Sequence, residues 1–577
     1  MRTSARREIA RKLGIELSYT DAAGKRRNAS PAALAAAIDV RSRSRREEPR
    51  LLEPVIVAWG TQRPKIDLHG VQNVEWDLEL EDGSWRSGRA SGSFTLDPLP
   101  HGYHTLRIHR EQEALLIAAP LKAHAPRGKS WGIFAPLYAA HTRRSWGAGD
   151  LGDLLAYASW IDHHGGSIVA TLPMLAQHAD EPSPYSPVSR LFWNELYLDV
   201  TRVPEFRAED VDEGTLARLR QTTHVDYAGI LAEKHRVLRN CLERFVPDRA
   251  FATFASGEAN EYANWRGADA RLHLYMQYRL SQQMREVANA ARRLGNGLYL
   301  DFPLGVHSAG YDAQRYAHVF ARGVSSGAPP DLFFTKGQNW GFPPFDPDAL
   351  REDRYDYFRK AIRHHVAHAG VLRIDHVMGL HRLYWIPDGM EAKDGVYVRY
   401  PVDELYAILT LESQRHGCVL VGEDLGTVPP EVPKKMVRHG LRRMYVVQYE
   451  MKPEEATPPP PPAASVASLN THDMPAFAAW SAGQDPDRAH SLESLLMFLA
   501  SSDAELLLLN LEDLWGETEP QNVPGVPERS WRHKFRMGLE DARADGSIRR
   551  IFTNVAAQRA DDLLSIRGPH NDGMKEG

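Results

Sequence analysis

The chain has 577 residues, 43% of them hydrophobic and 25% charged, which is the balance of folded domains and excludes a disordered or collagen-like polymer. Lys and Arg total 70 against 75 Asp and Glu, a net charge of −5, so nucleic-acid binding, which calls for a basic surplus, is not expected as the main task. No stretch approaches the ~20 apolar residues of a membrane span, no apolar run follows the basic N-terminus as a secretory signal requires, and two cysteines, Cys241 and Cys418, exclude a disulfide framework and suit a cytoplasmic setting.

Residues 1–50 read as a small helical element. Arg6–Leu13 is helical by composition, and Ser30-Pro31 supplies an N-cap and a first-turn proline for the Ala-rich Ala32–Ile38. The run from Arg41 to Arg50 is too charged to pack and is expected to be a linker. Over 51–125 the apolar period becomes two: Val74, Trp76, Leu78 and Leu80 alternate with polar neighbours, and Glu81-Asp82-Gly83 makes a turn. This spacing predicts a small antiparallel, sandwich-like β domain.

From 126 to 577 short apolar runs alternate with helix-like segments. The runs are Trp131–Leu137, Ser167–Leu172, Gly297–Leu300, Val371–Ile374, Val419–Val421, Met444–Val447 and Ser465–Leu469. Continuous apolar strands of this kind are covered by helices on both faces. One intervening helix is expected over Arg271–Leu294, closed by Gly295. Seven runs, with an eighth hidden, predict an α/β fold built on a (β/α)8 barrel. A bare barrel takes ~250 residues, so insertions are required, the largest at about 175–265. Pro458–Pro462 can be neither helix interior nor central strand and is expected as an exposed polyproline spacer.

Active sites of such barrels sit at the C-terminal ends of the strands. Four runs end on acids: LYLDFP with Asp301, VLRIDH with Arg373, Asp375 and His376, VLVGEDLG with Glu423 and Asp424, and SLNTHDMP with His472 and Asp473. Residues two apart on a strand share a face, so the Arg373 guanidinium lies beside Asp375 and favours its charged form. Asp375 then suits a nucleophile, Glu423 a proton donor to a leaving group, and Asp473 a holder of substrate hydroxyls. Three carboxylates also allow a divalent metal site, but neither H-E-x-x-H nor D-x-D-x-D-G spacing occurs, and no metal or cofactor is expected.

The segments RIDHVMGL, GEDLGTVP and NTHDMP resemble signature regions of the 4-α-glucanotransferases of glycoside hydrolase family 77, in the α-amylase clan. Further matching segments are Trp131–Pro136, Gly147–Leu154, Ser183-Pro184-Tyr185-Ser186, Asp301–Val306, Gly327–Asp331, Gly337–Pro343 and Asn522–Gly525, and the N-terminal region is similar to the extension of the long bacterial form. The resemblance spans roughly 126–535. It implies a retaining double displacement on α-1,4-glucans, with Asp375 as nucleophile, Glu423 as acid then base, and Asp473 distorting the sugar. It also implies that Arg373, His376, His472 and Asp301 surround that sugar, and that Tyr185, Gln338 and Trp340 form stacking walls and a lid. The partners implied are a maltodextrin donor and a glucan acceptor, with hydrolysis on the same scaffold or non-catalytic glucan binding as alternatives. Departures from the family pattern fall at Phe333–Lys336, Met474–Trp480 and Val188 and are expected around the substrate subsites.

Overall fold

A computed structural model describes residues 3–21, 24–43, 50–68, 73–109, 112–331, 334–452, 457–484 and 490–566. Eight parallel strands close into a barrel: β1 Ser130–Phe134, β2 Ile168–Ala170, β3 Gly297–Phe302, β4 Val371–Ile374, β5 Val419–Gly422, β6 Arg442–Val446, β7 Ser465–Ser468 and β8 Leu506–Asn510. The hidden eighth strand is β8, which pairs with both β7 and β1 and shuts the ring.

Strand parity sorts the side chains. Tyr299, Val371, Val419, Val421, Val466, Leu506 and Leu508 fill the barrel interior, while Leu298, Leu300, Leu372, Leu420, Leu507 and Leu509 face outward into the helical layer. Both sets are buried, which is why the strands read as unbroken apolar runs. Each such side chain contributes roughly 1.5–3 kcal/mol through its burial. The outer layer includes the helix Ala270–Arg292, within two residues of its expected bounds, and a helical insertion between β2 and β3.

A second sheet over the barrel mouth pairs Gln338–Asn339, Val324–Ala328, Arg382–Pro387 and Val396–Arg399 in that order. Its members come from two separate loops, after β3 and after β4, so their pairing is non-local and had no local sequence signal.

The region before the barrel carries a five-stranded sheet in the order Val55–Trp59, Gln112–Ala119, Gly102–Ile108, Val74–Glu79, Trp85–Ala90. The pairs are antiparallel except Val55–Trp59 against Gln112–Ala119, which is parallel. Along Gln112–Ala119 the parity is again clear: Ala114, Leu116 and Ala118 enter the sheet's own core, and Leu115, Ile117 and Ala119 join the main core. The sheet is docked on the helix Val402–His416, where the buried Tyr103 hydroxyl donates to Glu412 Oε1 at 2.7 Å.

Among the described residues of the first fifty are two helices, Thr3–Lys12 and Pro31–Arg43, with Ser30 Oγ capping the second through the Ala33 N–H, and an antiparallel strand pair, Ser18–Thr20 with Arg26–Asn28. The expected linker departs from its charged reading at Arg41. This residue is 3% exposed and pairs with Asp346 at 2.7 Å and Asp348 at 3.0 Å, so its charge is matched inside the fold and it does not need solvent. Residues 44–49 of that run lie outside the described residues, as does Phe333. Within Pro458–Pro462, Pro458 and Pro461 are buried and the other three are exposed. A polyproline helix repeats every three residues, so one edge packs and the segment is not a free spacer.

Candidate active site

The inward parity that fills the barrel continues into its mouth. Tyr299 faces in, and so does Asp301 two residues later. Val371 is followed in the same way by Arg373 and then Asp375, and Val421 by Glu423. Asp301 and Arg373 stand in direct register across β3 and β4. Arg373 is 8% exposed; its Nη1 donates to both oxygens of Asp301 at 2.8 Å and to Asp375 Oδ1 at 3.0 Å. The other Asp375 oxygen accepts the Leu304 N–H at 3.3 Å. Burial raises the Asp301 carboxyl, opposed by Arg373 and reinforced by Asp375.

Glu423 leaves β5 one position beyond its end and accepts two main-chain N–H groups, from His376 at 2.9 Å and Leu425 at 2.8 Å. Its carboxyl is nevertheless pushed up to about 7, chiefly by burial; Arg373 opposes the shift, Asp375 adds to it, and the two N–H donors restrain it. His376, next to Asp375 in the chain, has φ 45°, in the left-handed region, a conformation that costs a non-glycine residue about 1–2 kcal/mol. Its imidazole is lowered to about 4 by burial, against the pull of Asp375, so it is neutral near pH 7.

Asp473 lies on the loop after β7, half exposed, with His472 Nε2 3.3 Å from one oxygen and the Asn522 amide donating to the other at 2.5 Å. Burial works against its charge, but His472 and Asn522 outweigh it and hold the carboxyl at about 2. Tyr185 ties the two halves together. Its hydroxyl donates to Asp301 Oδ2 at 2.7 Å, and its ring stacks on His472 with centroids 4.9 Å apart. Trp531 closes over both rings, at 5.8 Å from Tyr185 and 5.6 Å from His472.

Trp340 meets His376 edge to face at 5.2 Å and stacks with Phe342. The close approach of this loop depends on Gly305, where a Cβ would fall 2.2 Å from the Phe342 ring. Gln338 stands one step further out and accepts the Trp340 indole N–H at 3.4 Å. The structure therefore gathers Asp301, Arg373, Asp375, His376, Glu423, His472, Asp473 and Tyr185 at one barrel end, with Trp340 against His376 and Gln338 behind it. Among the described residues no cluster of His, Cys, Asp and Glu is arranged to hold a metal ion.

Val188 corrects an expectation: it is 0% exposed, and its N–H and C=O are bonded to Ala176 and Asp312, so it belongs to the core and not to a substrate subsite. Sequence reading gave no role to Trp531, Asn522 or the Leu304 N–H. Asn522 lay in a segment resembling the family but carried no chemical signature of its own.

The chain matches the family pattern of 4-alpha-glucanotransferases over residues 135–269 and 248–540, and that of the MalQ N-terminal beta sandwich domain over 51–120. The chain belongs to the 4-α-glucanotransferase family. The 4-alpha-glucanotransferase of Mycobacterium tuberculosis is 31% identical over 96% of this chain and 98% of its own length. That of Haemophilus influenzae is 31% identical over 67% of this chain and 66% of its own. In fold, the amylomaltase of Corynebacterium glutamicum superposes with a TM-score of 0.85 at 25% identity, over 96% of this chain and 99% of that one. The amylomaltase of Streptococcus agalactiae in complex with acarbose gives 0.66 at 18% identity, over 75% and 99%.

Proposed function

We propose that this member of the 4-α-glucanotransferase family cuts an α-1,4 bond of a maltodextrin, keeps the donor part covalently on Asp375, and passes it to the 4-hydroxyl of a second glucan. The reading rests above all on Glu423, a carboxylic acid held near neutrality by burial at about 7, beside Asp375, whose oxygens face the cationic Arg373 and the Leu304 N–H. That contrast is what a double displacement uses: one carboxyl to give a proton, one carboxylate to attack.

In the first half-reaction Asp375 attacks the anomeric carbon while Glu423 protonates the departing glucan oxygen. In the second, ionised Glu423 takes the proton of the acceptor hydroxyl as that oxygen displaces Asp375 and restores the α configuration. Asp301 and Tyr185 set the Arg373 guanidinium. Asp473, kept ionised by His472 and Asn522, binds sugar hydroxyls, and His472 and the neutral His376 donate to sugar oxygens. Trp340 and Gln338 wall the acceptor side. A bound acceptor competes with water through placement, which is worth ~7–11 kcal/mol. These steps require no cofactor or metal. Among the described residues no helix is long and apolar enough to cross a membrane, and we place the enzyme in the cytoplasm.

Incubation with maltotriose alone tests this. Glucose plus a ladder of longer chains, with reducing ends constant, is the expected result. A rising count without longer chains identifies a hydrolase, and no change refutes the enzymatic reading on this substrate.

A further inference from the structure

Arg190 is 1% exposed, and among the described residues no carboxylate forms an ion pair with it. A buried guanidinium without a counter-ion is expensive, and three rings take up its faces instead: Phe302, Phe345 and Tyr357 lie 5.0, 5.1 and 5.2 Å from its central carbon. Its Nε donates to the Tyr357 hydroxyl at 3.1 Å, which donates in turn to the buried Asp312 at 2.6 Å. Asp312 also accepts the Arg190 main-chain N–H at 2.7 Å and the Ser189 hydroxyl at 2.6 Å. Arg190 is thus fixed at its base, along its edge and on its faces.

What this fixed group holds is the turn that leaves β3. Its Nη1 donates to the carbonyls of Pro303, at 3.3 Å, and Leu304, at 3.1 Å. The Pro303 carbonyl and the Leu304 N–H are the two ends of one peptide group, and that N–H donates to Asp375 Oδ2. The same turn accepts the Asp375 main-chain N–H at Phe302 O, 3.0 Å away. A cation on the carbonyl of an amide polarises its N–H and strengthens the bond that N–H makes.

We infer that Arg190 is a positioning residue for the reaction: through the Pro303–Leu304 peptide it sets the place and the donor strength of the N–H that holds the attacking carboxylate. The inference rests on Asp375 as nucleophile. Arg190 touches no sugar and acts only through that peptide. Among the described residues, the charged and titratable groups around Asp375 include Arg373, Asp301, Glu423, His376 and Tyr185, and none of them is hydrogen-bonded to Arg190.

The experiment compares wild type, Arg190→Lys and Tyr357→Phe in steady-state transfer on maltotriose, with kcat and KM measured across pH. Lysine keeps the charge but loses the planar fork and its stacking. Arg190→Lys is expected to lower kcat by about 10–100-fold with KM within about twofold, the signature of a transition-state interaction. A weaker N–H donor leaves the carboxylate less stabilised, so the acidic limb of kcat moves to higher pH, by about half a unit or more. Tyr357→Phe, which keeps the ring and releases Nε, is expected to move both quantities the same way and less. Should Arg190→Lys fail to fold, Tyr357→Phe decides alone. An acidic limb unmoved in the folded variants, or a loss confined to KM or to melting temperature, overturns the inference. Wild type run alongside separates the two readings: an inactive wild type refutes the transferase assignment, whereas an active wild type with an unmoved variant refutes only the role of Arg190.

Discussion

The main-chain N–H of His376 donates to Glu423 Oε2 at 2.9 Å, so the residue that follows the proposed nucleophile in sequence also orients the proposed acid. One short turn after β4 sets both carboxyls, and it does so from a left-handed conformation that a histidine adopts only under constraint.

Replacing His376 separates that constraint from the side chain. His376→Gly and His376→Ala both lose the imidazole and are expected to lose comparable transfer activity. In folding they differ, because glycine enters the left-handed region freely and alanine does not. Thermal or denaturant unfolding is expected to show the glycine variant more stable than the alanine variant by about 1 kcal/mol, offset in part by the freer unfolded chain of glycine. An alanine variant as stable as the glycine one contradicts the strain.

Glu423 gives the pH dependence. The first half-reaction needs its proton, so transfer is expected to fall as pH rises through about 7. Glu423→Gln is expected to cost about 10²–10⁴-fold in kcat and to abolish that alkaline limb. Stability moves in the same direction. A folded value of about 7 lies above the ordinary 4.5, so the stabilisation is present at low pH and is lost as pH rises through 7. Glutamine, which never ionises, is therefore expected to raise the melting temperature relative to wild type at pH 8.5 and not at pH 5. The gap corresponds to about 3 kcal/mol at most.

Tyr185→Phe removes the hydroxyl bonded to Asp301 and keeps the ring that stacks on His472. Asp301 keeps both bonds from Arg373, so the cost to folding is expected to stay at or below about 1 kcal/mol, whereas kcat is expected to fall about 10–100-fold as the Asp301–Arg373 pair loses its second anchor. Kinetics alongside calorimetry check both halves of that statement.

Asn522→Ala leaves Asp473 with His472 as its remaining side-chain partner. Because the Asp473 carboxyl sits near 2, it stays ionised at neutral pH without the amide, and only its aim is relaxed. The expected result is a KM raised about threefold to tenfold with kcat little changed. A collapse of kcat instead assigns Asp473 a role in the chemical step.

Much of this was legible because strand parity is legible. Arg373 and Asp375 could be placed on one face by counting twos, and Asp301 and Glu423 at the ends of their own apolar runs. The eighth strand escaped because Leu506–Asn510 follows the leucine-rich helix Leu492–Ala500 so closely that no change of period marks the boundary. The sheet over the mouth escaped because its strands are recruited from two loops. Trp531 and the Leu304 N–H were invisible for a related reason: one reaches the site from a distant turn, and the other is main chain, identical in every residue but proline. Arg41 misled because its neighbours advertise solvent while its own partners, Asp346 and Asp348, lie some three hundred positions further along.

The ring closes only when β8 pairs with β1, joining Ser130 to Leu506, and Trp531 reaches back across Tyr185 later still. During synthesis, a nascent chain that has already displayed every acid through Asp473 therefore has an open sheet edge where the last strand belongs and a missing wall at its mouth. Such a chain can form the N-terminal sheet early, yet activity must wait until the final segment has emerged from the ribosome. A premature stop between residues 473 and 506 leaves the complete set of carboxylates and no closed barrel to hold them.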